Sequence, residues 1–234
     1  MRYFWSGAAV IAAMLFVGVS AHADALLYSF EAGDSPNSLD GFSSNGPGNT
    51  LSNSTTVGVT NGVQSLLVTN GNSSFAGIAT SSVPATMNND KITAISLDAT
   101  IPSNEAYSGG YYLLGITLFD EVAGNPYSGD SWQVAGADEQ SIYQAVGTGV
   151  PQHKIIPLTG SDPNTFNPTT YGQLVDNGWV TTGFQIFEDH NAPLTFAVDN
   201  VSAVVVPEPA SLSLGAIGGL MLLARRRRAS RAVA

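Results

Sequence analysis

The chain has no cysteine, only 11% charged residues, and eight Lys and Arg residues in 234 positions. Without cysteine a disulfide framework, a thiol nucleophile and a zinc–thiolate centre are all excluded. Basic residues are scarce where they would matter. Six of the eight lie at the ends (Arg2, Arg225, Arg226, Arg227, Arg228 and Arg231), so only Lys91 and Lys154 face seventeen carboxylates between Asp24 and Asp199. A nucleic-acid partner is excluded on this ground, because phosphate binding needs clustered Lys and Arg to displace counterions. No HExxH, GxSxG, GxGxxG or GxxxxGK[ST] pattern occurs, which removes the common marks of zinc proteases, α/β-hydrolases and nucleotide cradles. Nor is there a Gly-X-Y period or a sustained helical apolar period.

Both ends carry their own message. Residues 1–23 hold Arg2, an apolar stretch from Ala8 to Val19, and Ala21-His22-Ala23, a small-x-small site for signal peptidase. Twelve apolar residues make about 18 Å of helix, too short for a hydrocarbon core of about 30 Å, so the segment reads as a cleaved secretory signal. The mature chain then starts at Asp24. Residues 207–234 hold Pro207-Glu208-Pro209, an apolar run from Leu212 to Ala224, and the block Arg225–Arg228. The prolines end any strand. Thirteen apolar residues give about 20 Å of helix, which snorkelling arginines can extend to a transient membrane anchor with the basic block on the cytoplasmic side.

This three-part tail resembles the PEP-CTERM sorting signal. The resemblance implies a Gram-negative source, export across the inner membrane, recognition by an exosortase at Pro207, Glu208, Pro209 and Arg225–Arg228, cleavage near the motif, and release to the cell surface or extracellular matrix.

The body, residues 24–206, reads as all-β. Ile95, Leu97, Ala99 and Ile101 alternate with Ser96, Asp98 and Thr100, predicting a half-buried antiparallel strand. Tyr111–Phe119 is apolar on both faces and predicts a central strand. Leu26–Phe30, Thr55–Val59, Val63–Thr69, Phe75–Ala79, Ser141–Val146, His153–Leu158, Trp179–Phe187 and Leu194–Val205 complete the set, separated by turn pairs such as Asn61-Gly62 and Asn177-Gly178. Some ten short strands without helices predict an antiparallel β-sandwich of jelly-roll type. In the last strand the apolar phase runs Leu194, Phe196, Val198 and then Val201, Ala203, Val205, a slip at Asp199-Asn200 that predicts a bulge.

The pairing of Ser29-Phe30-Glu31-Ala32-Gly33 near one end with Val198-Asp199-Asn200-Val201 at the other is similar to carbohydrate-binding modules built on the galactose-binding-like jelly roll. The resemblance implies that the terminal strands lie side by side and that Glu31, Asp199 and the Gly33 carbonyl hold a structural calcium. On the residues alone, Glu31 capping a turn and Asp199 ending a bulge stand equally open. Among aromatics, Tyr107, Tyr127 and Trp132 fall in or beside Gly- and Ser-rich connections, where rings could meet the apolar faces of sugars. Glu188-Asp189-His190, just before the turn Asn191-Ala192-Pro193, reads as a solvated hairpin tip, since catalysis needs partners in a cleft.

Together these features predict an exported, non-catalytic protein of the cell surface or matrix, structural or carbohydrate-contacting in role, with extracellular polysaccharide as the candidate partner of its body. The rivals are a polysaccharide hydrolase or lyase working with an unidentified acid pair, and a protein-binding adhesin.

Overall fold

A long final strand explains how the chain closes on itself. In the computed structural model, β1 (Ala23–Tyr28) and β13 (Thr195–Val205) pair antiparallel, Ala23 opposite Val205 and Tyr28 opposite Val201. The structure describes residues 23–33, 39–45, 48–70, 75–103, 112–135, 149–190 and 195–206. Residues 1–22 and 207–234, which hold both sorting segments, Ala21, Pro207–Pro209 and Arg225–Arg228, lie outside them. So do Tyr107 and Ser141–Val146. Ala23–Val206 form one compact unit.

β13 has two neighbours on one side. Its first half, Thr195–Val198, pairs with β4 (Ser65–Asn70), and β4 pairs with β3 (Asn49–Ser54); its second half, Val201–Val205, pairs with β1. On the other side runs β6 (Ile92–Thr100), which in turn pairs with β9 (Gln152–Pro157). The hand-over falls at Asp199-Asn200, where the β6 register jumps and Asn200 takes a left-handed φ of 52°. The predicted bulge is therefore present, and its extra residue keeps Phe196 and Val198 on the same buried side as Val201 and Ala203.

A second antiparallel sheet runs β2 (Ser43–Asn45), β5 (Phe75–Thr80), β12 (Gly183–His190), β7 (Tyr112–Asp120) and β8 (Asp130–Ala135). The chain alternates between the sheets, β4 to β5 to β6 to β7 and later β12 to β13, so the architecture is a jelly-roll sandwich. Between the layers lie Ile95, Leu97, Phe196, Val198 and Val201 from one sheet and Ile78, Ile116, Leu118, Phe184 and Ile186 from the other, all at most 1% exposed. Each such side chain contributes about 1.5–3 kcal/mol. Tyr28, Phe42 and Phe184 close one end with ring centroids 4.9–6.4 Å apart.

Four expectations are corrected. Thr55–Val59 is a loop: the Ser54 hydroxyl accepts the N–H groups of Thr56 and Val57 and turns the chain. The strand there is Asn49–Ser54, whose register on β4 outweighs its poor strand composition. β6 is buried on both faces, because Gly58 brings the 55–62 loop down on Thr100 and Ala197. Residues 179–182 are irregular, and β12 starts at Gly183. Finally, besides a single 3-10 turn at Ala85–Met87, the described residues include a short α-helix, α1 (Tyr171–Asp176), opened by a Thr170–Gln173 capping box and followed by Gly178 at φ 104°. It follows a small ribbon of β10 (Thr159–Ser161) and β11 (Pro168–Thr170).

Candidate functional site

Five aspartates are buried among the described residues: Asp40, Asp98, Asp120, Asp162 and Asp199. A buried carboxylate is costly unless donors surround it, and each of these is ringed by donors from a loop. Asp40 accepts the N–H groups of Ser29 and Phe30, both at 3.0 Å, which holds Phe30 at its left-handed φ of 58° just before Glu31. Asp120 accepts Val122 and Val180 N–H and the Asn125 amide. Asp162 accepts Asn164 and Thr165 N–H on Oδ1 and the Tyr127 hydroxyl on Oδ2. Burial alone would raise the Asp162 carboxyl, but the Thr165 and Asn164 N–H groups and the Tyr127 hydroxyl outweigh it and hold it below the usual value.

Glu31 and Asp199 come together on one loop. Asp199 Oδ2 accepts Thr60 N–H at 2.6 Å, Asn61 N–H at 2.8 Å and the Thr60 hydroxyl at 3.1 Å, while Oδ1 accepts Asn200 N–H. Glu31 Oε1 accepts Val63 and Gln64 N–H at 2.8 and 3.0 Å, packed so closely on Gly62 that a Cβ there would strike it. Gly33 is exposed, and no atom lies within 4 Å of where its Cβ would stand. Calcium takes six to eight oxygens. Here Asp199 Oδ2 already accepts three donors, Glu31 Oε1 two and Asp199 Oδ1 one, and among the described residues no three His, Cys, Asp or Glu side chains group as metal ligands. As it stands the donor set does not fit a calcium ion, and it does fit the pinning of the 60–64 loop at both ends.

Beside this loop Asp98 links three partners. Its Oδ2 accepts the Thr60 hydroxyl at 2.6 Å and the Asn200 amide at 3.3 Å, and Oδ1 lies 2.8 Å from His153 Nδ1. A hydroxyl, a carboxylate and an imidazole in contact invite comparison with a nucleophilic triad, where the imidazole stands between the other two. Here the carboxylate stands in the middle, and the imidazole bonds it rather than the hydroxyl.

The predicted aromatic contacts are corrected where they are described. Tyr127 is 4% and Trp132 2% exposed. The Tyr127 ring packs edge-on to Trp179, and its hydroxyl donates to Asp162 at 3.0 Å; burial, and then the Asp162 bond, raise its pKa. The Trp132 indole stacks on Tyr171 and donates to the Ser161 carbonyl at 3.0 Å. Both rings serve to hold the β10–β11 ribbon on the sandwich. The alternation of Trp132 and Val134 with Ser131 and Gln133 was the signal for a buried ring in β8. Of Glu188, Asp189 and His190 the backbone continues β12, opposite Leu114, Leu113 and Tyr112.

The ribbon frames an open cleft of about 400 Å³ lined by Asp162, Thr165, Asn167, Pro168, Thr169, Gln173, Asp176 and Asn177. An adjoining depression shares Pro168, Thr169 and Gln173. At the turn of the ribbon stands Phe166, 80% exposed. Sequence reasoning passed over it, although an aromatic amid Ser161-Asp162-Pro163-Asn164-Thr165 and Asn167-Pro168, all turn formers, has no strand to bury it.

No family model and no curated protein matches the sequence. Among solved structures, the chain is similar to the CBM22-1 xylan-binding domain from Paenibacillus barcinonensis Xyn10C, with 14% identity and a TM-score of 0.48 over 82% of this chain and 99% of that one. It is similar to the family 11 carbohydrate-binding module from Clostridium thermocellum in complex with a β-1,3-1,4-mixed-linked tetrasaccharide, with 15% identity and a TM-score of 0.46 over 80% and 98%. An exo-β-agarase matches at 15% identity and a TM-score of 0.48, over 80% of this chain and 25% of that one.

Proposed function

We propose that the chain is an exported, non-catalytic jelly-roll protein of the cell surface or extracellular matrix whose body contacts polysaccharide. The observation that carries this is the division of labour among polar groups. All five buried aspartates are engaged as loop anchors, whereas the open cleft at the ribbon is lined largely by hydroxyls and amides, the groups that pair with sugar hydroxyls.

Export by signal peptidase and sorting by an exosortase at Pro207-Glu208-Pro209 belong to the same proposal. Ala23 pairs with Val205, so the described body begins and ends on neighbouring strand positions, and cuts after Ala23 and near Pro207 would take only the first residue of β1 and leave Asp24–Tyr28 on β13. Among the described residues no helix is long and apolar enough to cross a membrane; the apolar run Leu212–Ala224 lies outside them.

A glycan array probed with the full chain, paired with a product assay on every hit, tests the binding part. Retention without product is expected. Turnover would favour the hydrolase, and a blank array would remove polysaccharide from the account. Fractionation of the native host tests the sorting part: a full-length, unprocessed chain in the cytosol would contradict it.

A further inference from the structure

We infer that the cleft beside the β10–β11 ribbon is a subsite for a neutral polysaccharide, with the Phe166 ring as its stacking face. This rests on the polysaccharide-binding proposal and goes beyond it in naming the place and the class of glycan. Phe166 lies between Thr165 and Asn167, both of which line the cleft, and its backbone is fixed by the bond from its N–H to the Asp162 carbonyl at 2.8 Å. Its φ of 58° is one that a phenylalanine seldom adopts. Single exposed apolar residues are common and need no explanation. This one is a large ring that the turn keeps in solvent in an unfavourable conformation, beside the described cleft, and such outliers gather at ligand sites.

The cleft also offers free partners of both kinds. Gln173 spends its Oε1 on the Thr170 N–H, which leaves its Nε2 without a partner among the described residues, and the exposed Asp176 carboxylate has none there either. A donor and an acceptor beside a flat ring suit a pyranose, which shows hydroxyls at its rim and C–H groups on its face. Asp162 and Asp176, in a chain of net charge −10, disfavour a uronate polymer.

Affinity electrophoresis of the full chain in native gels cast with hydroxyethyl cellulose, soluble xylan or alginate tests this. The expected result is retardation by at least one of the two neutral polymers. F166A should weaken it about tenfold, equivalent to about 1.4 kcal/mol, and F166Y should restore it. Circular dichroism of F166A should be unchanged, since the ring is exposed. Equal retardation of wild type and F166A would overturn the subsite while leaving polysaccharide binding in place. Preference for alginate would overturn the neutral class. Failure of every gel to retard the wild type would overturn the subsite together with the proposal beneath it.

Discussion

Asp98 and Asp199 stand directly opposite one another on β6 and β13, two buried carboxylates as cross-strand partners. Like charges so placed repel, and the jelly roll answers with a converging set of donors. The Thr60 hydroxyl lies 2.6 Å from one carboxylate and 3.1 Å from the other, Thr60 and Asn61 N–H point at Asp199, and the Asn200 amide points at Asp98. The bulge that supplies Asn200 is thus also what seats the 60–64 loop.

T60V keeps the backbone N–H on Asp199 but removes the hydroxyl that both acids share. Leaving a buried acceptor short of a donor costs about 1–3 kcal/mol. The urea midpoint of T60V should fall accordingly with an unchanged slope. A midpoint equal to the wild type would show that the two carboxylates manage without the hydroxyl.

Tyr171 is fully buried, its hydroxyl donating to the Met87 carbonyl and 2.7 Å from that of Thr181. Burial pushes its pKa up to about 12, with the Thr181 bond pulling the other way. Since the folded value is raised above that of the unfolded chain, about 10, this group's share of stability is complete below pH 10 and is lost as pH climbs toward 12. Wild type should lose stability across that interval, and Y171F should lose less over the same range, though it starts lower for want of its hydrogen bonds. Parallel alkaline profiles for the two proteins would contradict this.

Period-two alternation was enough to place β6 and β13, and an unbroken apolar run to place β7, while the phase slip at Asp199-Asn200 located the bulge. What escaped was held by distant partners. Asn49–Ser54 is a strand because β4 pairs with it, and Thr55–Val59, richer in strand formers, is a loop because Ser54 turns it. The two acids singled out, Glu31 and Asp199, do meet on one loop, yet the N–H donors that engage them are backbone groups, which leave no mark in a sequence. Tyr127 and Trp132 looked exposed beside glycines, whereas Gly160 is small so that the Trp132 indole can lie against it.

D162N bears on the ribbon. The amide oxygen can still take the Asn164 and Thr165 N–H bonds, but the charge that strengthens them and the Tyr127 bond is gone. Because the folded carboxyl is held low, its stabilisation is present above about pH 4 and disappears as pH falls through the lowered folded value. The wild type should therefore be the more stable protein at pH 7, by about 1–3 kcal/mol, with the gap closing in strong acid. A gap that persists unchanged at acid pH would mean that geometry, and not charge, sustains the turn.

Chelation separates the two roles open to Glu31 and Asp199. Their oxygens accept loop N–H groups, and a cation at the same oxygens would have to displace those bonds. EDTA should accordingly leave the melting temperature of the wild type unchanged, whereas E31Q should lower it without EDTA present, since an amide oxygen is the weaker acceptor for Val63 and Gln64 N–H. A ligand that binds only the folded state at one hundred times its Kd adds about 2.7 kcal/mol, so a resident calcium would reveal itself as a fall of several degrees on chelation, reversed by adding the ion. That reversal, absent in E31Q, would establish the two acids as calcium ligands and the N–H contacts as the arrangement that calcium replaces.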